Sequence, residues 1–363
     1  MKLLKQTLTY LALSSVVFFT SCEKDEKKND AVDVPSYEIP ESYNFENASY
    51  SGQVERLNML AELEAYLKTA NNGDVIDAVQ AKAMYANDTT YGYVWTSSAF
   101  ENGQPTKNLK SKTTFDQQAV VESLIDQLAD LSVSESTTKS GEKAYLFDEN
   151  GFEPVQLIVK GIMGSCFYFQ GTSVYLSDDK MTVDNDNLET GKDYTKMQHH
   201  WDEAFGYLGA SVDFSGANTG GGIYWGKYAK KTLAGGLTSI DDLMDAFITG
   251  RAAIDNKEYT ARDEAIGKVR ANWEMIPVAS ALHYLNGAIV DVTDAALRNH
   301  KLSEAIAFTS ALKYNSEKSI SDSQVDAIID ALGTNLNEVT PAEINQAITL
   351  LADAFNITNA SDY

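Results

Sequence analysis

Cysteine, proline and histidine are all scarce in this chain of 363 residues, which contains two, six and four of them respectively. The two cysteines, Cys22 and Cys166, cannot supply the several cross-links of a disulfide-stapled fold. We expect no disulfide between them, because Cys22 stands at the end of a leader and Cys166 lies in the apolar run GIMGSCFYFQ, where a thiol is typically packed in the core. A chain of this length can bury enough apolar surface to fold without cross-links.

Several catalytic motifs are missing, and basic residues are far fewer than acidic ones. The sequence has no His-Glu-x-x-His segment, no Gly-x-Ser-x-Gly turn, no P-loop and no dinucleotide-binding glycine fingerprint. These absences argue against a zincin protease, an α/β-hydrolase, a P-loop nucleotidase and a Rossmann dehydrogenase. With 29 Lys and Arg against 52 Asp and Glu, the formal net charge is −23. That charge disfavours nucleic acid and anionic lipid surfaces as partners.

The first residues have the composition of a secretory leader. Residues 1–21 begin with the basic Lys2 and Lys5 and continue into an apolar stretch that is too short to span a bilayer. This pattern predicts a lipoprotein signal peptide, cleaved so that the thiol of Cys22 carries the lipid. The alternative is an ordinary signal peptide followed by an incidental cysteine.

The polar segment after the leader predicts a tether. Residues 22–40 are rich in charge and contain two prolines, so we expect them to form a disordered acidic linker to the membrane. The run Glu-Lys-Asp-Glu at 23–26 resembles the export signal of surface lipoproteins. We therefore expect an outer-membrane lipoprotein that faces the cell exterior, held by its lipid. The alternative is a solvated tether in which any charged run would serve.

Residues 41–363 predict a single all-α domain. Apolar residues recur at helical spacing over about nine segments. These segments are 52–68, 115–131, 156–170, 194–208, 240–251, 262–292, 293–314, 322–332 and 341–355. Three polar or glycine-rich stretches between them, 87–112, 177–193 and 212–226, predict long irregular loops.

Four short blocks carry a resemblance to a known family. They are GQVERLNML (52–60), HHWDEAFGYLG (199–209), GRAAIDNK (250–257) and HYLN (283–286). On these blocks the chain resembles the domain of unknown function 4856 proteins, a family of bacterial lipoproteins that is similar to the imelysin-like proteins. That likeness implies an imelysin-like fold of helical bundles and a link to metallopeptidase activity or iron handling. His200 and Glu203 match the His-x-x-Glu part of the imelysin-like motif, but Gln198 stands where that motif has glycine.

Histidine and glutamate residues at helical spacing predict a metal site. A histidine and a carboxylate three or four positions apart share one helix face and can bind the same ion. Two such pairs occur, and two further candidates lie on apolar helix faces. The candidates are His200 with Glu203, His300 with Glu304, His283, and Glu64. They predict a divalent metal, iron or zinc, as cofactor.

Each of these candidates has a structural alternative. His300 and Glu304 lie opposite the apolar stripe of their helix, so they could form a solvated face, as could Glu203. His283 could be a core histidine that is hydrogen-bonded to a backbone carbonyl. Glu64 could be a buried carboxylate that is paired with an arginine.

Aromatic residues in the loops suggest a different kind of ligand. Trp95, Tyr224 and Trp225 could stack on a sugar ring or a porphyrin. Aromatic side chains in long loops also often anchor the loop to the core, and that alternative stays open here.

Three functions follow from these observations. The first expectation is a non-catalytic envelope lipoprotein that binds iron, haem or another metal for uptake. The second is a metallopeptidase that uses His200 and Glu203, with a third ligand from His283 or Glu64. The third is a glycan-binding lipoprotein that works with an outer-membrane transporter.

Overall fold

A computed structural model describes residues 36–100, 103–214, 222–237 and 239–363 of the chain. The predicted signal peptide 1–21, the lipidation of Cys22 and most of the tether 22–40 lie outside these residues. The described part from Glu38 to Tyr363 belongs to one compact unit.

Helices dominate the described residues, which confirms the predicted all-α class. Twelve α-helices and one two-stranded sheet are present there. The helices are α1 (Ser51–Lys68), α2 (Ala78–Ala86), α3 (Phe115–Ser134), α4 (Pro154–Ile162), α5 (Asp178–Met181), α6 (Lys196–Leu208), α7 (Trp225–Ala229), α8 (Ser239–Asp255), α9 (Tyr259–Val290), α10 (Ala295–Ala311), α11 (Asp322–Asp330) and α12 (Pro341–Ala354). Strands β1 (Thr138–Ser140) and β2 (Lys143–Tyr145) pair antiparallel, with Thr138 opposite Tyr145.

All nine predicted helices are present, and three short ones had not been predicted. These are α2, α5 and α7, which are nine, four and five residues long. A helical period cannot stand out over so few positions. The carboxylate of Asp77 caps α2 by accepting hydrogen bonds from the N–H groups of Val79 and Gln80, and such a cap is a short-range signal that the periodicity does not report.

The long helix α9 organises the packing. It contacts α8, α10 and α12, while α4 lies between α3 and α10, and α1 packs against α2 and α6. Helix α10 is therefore covered from two sides, by α9 and by α4. Of the helices in the described ranges, none has both the length and the apolar character needed to cross a bilayer.

Helix α4 continues into two wider helical turns. The segments Met163–Tyr168 and Gln170–Val174 are π-helical, and the second ends at Tyr175. Such turns are rare and are enriched near functional sites. Cys166 lies in the first of them and is completely buried, and burial raises the pKa of its thiol to about 12. It is therefore an inert core thiol.

Candidate functional site

Helix α6 carries the HHWDE block and begins with a capping box. The hydroxyl of Thr195 accepts a hydrogen bond from Gln198 N, and the Gln198 side chain accepts one from Thr195 N at 2.7 Å. The position at which the imelysin-like motif has glycine is therefore occupied here by a residue that starts the helix. Along the helix that begins here, successive side chains of the HHWDE block lie on two faces, one buried in the core and one facing a cavity.

One face of α6 holds a buried ion pair. The carboxylate of Asp202 lies 2.9 Å from Arg251 Nε of α8, and both side chains are fully buried. The other hydrogen bonds to Asp202 come from Tyr43 Oη at 2.7 Å and from Ser49 N at 2.9 Å. Burial raises the pKa of the Asp202 carboxyl, and Arg251 opposes that shift. This network attaches the segment that precedes α1 to α6 and α8.

The other face of α6 presents His199 and Glu203. The ring of His199 stacks on Tyr194 with a centroid distance of 4.7 Å, and its Nδ1 lies 3.0 Å from Ser49 O. Glu203 accepts a hydrogen bond from Gln53 Nε2 of α1 at 3.0 Å, and its other oxygen lies 3.9 Å from His199 Nε2. Both side chains are thus held in place at the junction of α1 and α6.

A cavity of about 320 Å³ opens at this junction, and we call it the α1–α6 cavity. Its lining comes from the first turns of α1, the segment before α3, the end of the second π-helical segment, and α6 with the loop before it. The lining residues are Ser49, Ser51, Gly52, Gln53, Arg56, Lys107, Lys112, Tyr175, Lys192, Tyr194, His199 and Glu203. Four of them are cationic side chains, whereas Glu203 is the one carboxylate among them.

The cations of the cavity have polar contacts but no acidic partners. Arg56 is buried and donates to Asn108 O at 2.8 Å and to Gly52 O at 3.1 Å. Lys112 Nζ lies 3.0 Å from the hydroxyl of Tyr175. Within the described ranges, no side-chain nitrogen of Arg56, Lys107, Lys112 or Lys192 lies within 4.0 Å of a carboxylate oxygen, although the backbone N–H of Lys107 donates to Glu55 at 3.3 Å.

Burial and mutual repulsion act on these groups. Burial lowers the pKa of Lys112, the neighbouring Arg56 lowers it further, and the charge of Glu203 opposes both effects without cancelling them. Burial also raises the pKa of Tyr175, and the negative charge of Glu203 adds to that shift, so the phenol stays protonated. The cavity therefore contains a neutral phenol and positive charges whose repulsion no described carboxylate relieves at contact distance.

The side chains of the predicted pair, His200 and Glu203, do not point to a common position at which they could bind one ion. His200 is buried, and its Nδ1 lies 3.1 Å from the carbonyl of Lys180, whereas Glu203 faces the α1–α6 cavity. Burial lowers the pKa of His200, so a neutral imidazole that donates from Nδ1 accounts for this contact. His200 is thus a satisfied core residue of the described structure.

His283 and Glu64 both have cationic partners. The Nζ atom of Lys231 lies 2.8 Å from Nε2 of His283, and burial together with Lys231 lowers the pKa of that histidine. Its partner is therefore a lysine and not the backbone carbonyl of the alternative interpretation. Glu64 pairs with Lys68 at 2.5 Å, so its partner is a lysine as well and not an arginine. Burial raises the pKa of Glu64, but Lys160 and Lys68 outweigh it and the net shift is downward.

His300 and Glu304 lie inside the fold, and the interpretation of a solvated face is wrong for them. Glu304 is buried and lies 3.4 Å from Nζ of the equally buried Lys160 in α4. His300 Nδ1 lies 2.5 Å from a carboxylate oxygen of the buried Glu153, and its Nε2 lies 3.9 Å from Glu304. These side chains are enclosed because α4 packs against the face of α10 that lies opposite its apolar stripe.

These candidates form no recognisable metal centre. In the ranges that the structure describes, no group of three or more His, Cys, Asp and Glu side chains is arranged to hold a metal ion. The donors contact lysines, backbone carbonyls and one another instead.

The three aromatic candidates are buried, and their stacking on a ligand stays a prediction. Trp95 is 5% exposed, Tyr224 7% and Trp225 0%. Trp225 Nε1 donates to Met163 O at 2.8 Å, and Tyr224 Oη donates to Glu64 at 3.2 Å. These contacts attach the loop to the core, as the alternative interpretation expected.

The cations of the α1–α6 cavity were missed by sequence reasoning. They come from three separate stretches of the chain, which hold Arg56, the neighbours Lys107 and Lys112, and Lys192, and no motif connects these stretches. The signal that existed was indirect: two of the blocks that carried the family resemblance, 52–60 and 199–209, border this cavity.

The comparisons with known proteins agree with the resemblance on the family. The model of the family described as domain of unknown function 4856 matches residues 40–358, so the chain belongs to this family. We found no match among curated proteins and none among solved structures. The relation to imelysin-like proteins therefore stays a prediction.

Proposed function

We propose that the chain is a lipid-anchored cell-envelope protein that binds a small ligand in the α1–α6 cavity and catalyses no reaction. The observation that carries this proposal is the cavity itself, which is walled by four separate segments of the chain. Its volume is at the lower end of the range of about 300–1,000 Å³ that is usual for small-molecule sites.

The fixed positions of the lining side chains support binding. Gln53, Glu203, His199 and Arg56 are each held by a hydrogen bond or stacking contact to another segment. A ligand would meet side chains that are already ordered, which lowers the entropy cost of binding. A metallopeptidase would need three convergent protein ligands around an open coordination position, and His200 and Glu203 have separate partners.

The family resemblance implies iron, haem or another metal as cargo, and we keep uptake as the proposed purpose. Because the described residues offer no group of three metal donors, we propose that a metal would be recognised as a complex with another molecule. An outer-membrane transporter is the proposed partner that would receive the ligand.

Native mass spectrometry of the lipoprotein extracted from its own envelope tests ligand binding. We expect a small ligand on the wild-type protein and its loss in Ser51→Trp, because Ser51 lines the cavity and is exposed. Ser323→Trp is the matched control, since Ser323 is an exposed serine in the first turn of α11. Retention of the same ligand by Ser51→Trp would contradict the proposed site, and a stoichiometric metal that is lost in a His200→Ala, Glu203→Ala variant would favour a metal-ion site instead.

Metabolic labelling with a fatty-acid probe tests the anchor. We expect Cys22→Ala to lose the label and Cys166→Ala to keep it, because Cys166 is buried. Protease treatment of intact cells then tests the outward orientation, and full protection of the domain would refute it.

A further inference from the structure

The α1–α6 cavity has a charge that is opposite to that of the protein. The chain carries a formal net charge of −23, yet four cations and one carboxylate line this cavity. Elsewhere in the described ranges many lysines and arginines are paired, for example Lys110 with Glu122 at 2.6 Å. Other lysines of the described ranges also lack such a partner, so the distinguishing feature of this cavity is that four cations line it together with a single carboxylate, in a chain that carries many more acidic than basic residues.

We propose that the ligand of the α1–α6 cavity is a small anion that carries carboxylate or phosphate groups. This inference rests on the proposed function, because it names the chemical class of the ligand for the same cavity. Arg56 and Lys112 would meet the anion from the α1 side and the α3 side, and Lys107 and Lys192 would meet it from the two flanking loops. Arginine and lysine together are the usual donors to such groups, since a charged donor and a charged acceptor form the stronger hydrogen bonds.

The beginning of α1 supports an anion at the same place. Ser51, Gly52 and Gln53 belong to the first turn of this 18-residue helix, and all three line the cavity. The N-cap residue Tyr50 provides no side-chain hydrogen bond, and the first turn contains no acidic residue. The partial positive charge of the helix start is therefore not neutralised from within the helix, and it adds to the field of the four cations.

Aromatic rings hold two of the cations in position. Lys112 Nζ lies 5.1 Å from the ring centroid of Tyr175, and Lys192 Nζ lies 5.8 Å from that of Tyr194. These contacts favour the protonated amines without neutralising their charge. The cations are thus oriented before a ligand arrives, and an anion would remove the repulsion that Arg56 and Lys112 exert on each other.

The single carboxylate makes the sign of the ligand testable. Glu203 repels an anion but would attract a metal ion or an amine. Removal of its charge should strengthen the binding of an anion, whereas it should weaken the binding of a cation. Removal of a lysine charge should act in the opposite direction in each case.

The test is calorimetric titration of the full-length detergent-solubilised lipoprotein with inorganic phosphate, citrate and the uncharged probe glycerol. We expect phosphate or citrate to bind and glycerol not to bind, with an affinity that falls as NaCl is added. Lys112→Gln and Lys192→Gln should each weaken binding about tenfold, as expected for the loss of a hydrogen bond to a charged group. Glu203→Gln should strengthen binding, and Lys139→Gln, at an exposed lysine outside the cavity, should leave it unchanged.

The outcomes separate the two proposals. Binding of citrate alone assigns a carboxylate ligand, and binding of phosphate alone assigns a phosphate. If neither anion binds, or if Glu203→Gln weakens binding, the anionic class is refuted. In that case a co-purified ligand that Ser51→Trp excludes would leave the proposed function intact, whereas the absence of any ligand would refute both. Thermal unfolding of each variant shows whether a loss of binding is a loss of folding.

Discussion

Two groups of charged side chains border helix α6, and they differ in whether their charges are paired. Asp202 and Arg251 are fully buried and paired at 2.9 Å, and further hydrogen bonds satisfy both carboxylate oxygens. On the neighbouring face, Arg56 and Lys112 border a cavity and have no carboxylate within 4.0 Å among the described residues. The first group joins three segments of the chain, and the second group is the one that we propose to bind an anion. Asp202 and Glu203 are adjacent in the HHWDE block, yet Asp202 lies in the buried ion pair and Glu203 lines the cavity.

The largest effect should come from the buried pair. Asp202→Ala removes the buried counter-charge of Arg251, whose remaining carboxylate partner is the partly exposed Asp255, and should lower the free energy of unfolding by up to about 3–5 kcal/mol. Urea denaturation measures this loss. The double variant Asp202→Leu, Arg251→Met should lose less than the sum of the single variants, because no fully buried charge is then left unpaired.

A surface pair provides the control for this prediction. Lys257 and Asp186 form an ion pair whose side chains are 54% and 74% exposed. Lys257→Gln should not measurably change the free energy of unfolding, because water screens such pairs. Equal losses in Asp202→Ala and Lys257→Gln would show that the network around Asp202 does not hold the N-terminal segment.

A smaller effect should follow from the contact between α1 and α6. A Cβ atom at Gly206 would lie 2.7 Å from Tyr50 Cβ and 2.8 Å from Gln53 Cβ, so Gly206→Ala must push the two helices apart. We expect a loss of about 1–3 kcal/mol in the free energy of unfolding, which is typical of overpacking. Ligand binding should weaken as well, because Gln53 lines the cavity.

Gly267 is the matched control within another helix. No heavy atom lies within 4 Å of a Cβ built at this position of α9. Gly267→Ala should therefore raise the free energy of unfolding by about 0.5–1 kcal/mol through helix propensity. If Gly206→Ala also raised the free energy of unfolding, α1 and α6 would not be in close contact at Gly206.

The sequence predicted the helices better than the site, and the reason is physical. Helical periodicity is local, so long helices such as α9 can be recognised from their own residues. Whether a polar face is buried depends on what packs against it, and the wheel of α10 could not show that α4 covers His300 and Glu304. The sequence leaves the role of Trp225 open for the same reason, since the carbonyl that its indole N–H contacts belongs to the distant Met163.

The candidate site illustrates this limit most clearly. The block HHWDE was recognised, but the metal ligands that it suggested do not converge in the described part of the chain. The cations that line the cavity come from three separate stretches of sequence, and only the folded chain brings them together. A group of side chains that is assembled from one helix and two distant connecting segments leaves no spacing that sequence analysis could detect.

The smallest predicted effect concerns the unpaired cations themselves. Because the pKa of Lys112 is lowered in the folded protein, the unfolded chain binds more protons between that lowered value and the ordinary lysine pKa of about 10.4. The free energy of unfolding should therefore rise with pH through this window. Tyr175, whose pKa is raised in the folded protein, acts in the opposite direction only as the pH approaches the ordinary tyrosine pKa of about 10, so the rise should be read at lower pH.

Lys112→Gln should reduce this rise to the part that Lys231 contributes, since the pKa of Lys231 is lowered as well. Lys139→Gln, which removes the same formal charge at an exposed position outside the cavity, should keep the rise in full. Urea denaturation of the ligand-free protein at several pH values measures both. A ligand that binds as an anion should also reduce the rise, because its negative charge restores the pKa of Lys112. If wild type and Lys112→Gln depend on pH in the same way, neither burial nor the charge of Arg56 lowers the pKa of Lys112 in the free protein, and the proposed contrast with the buried pair at Asp202 fails.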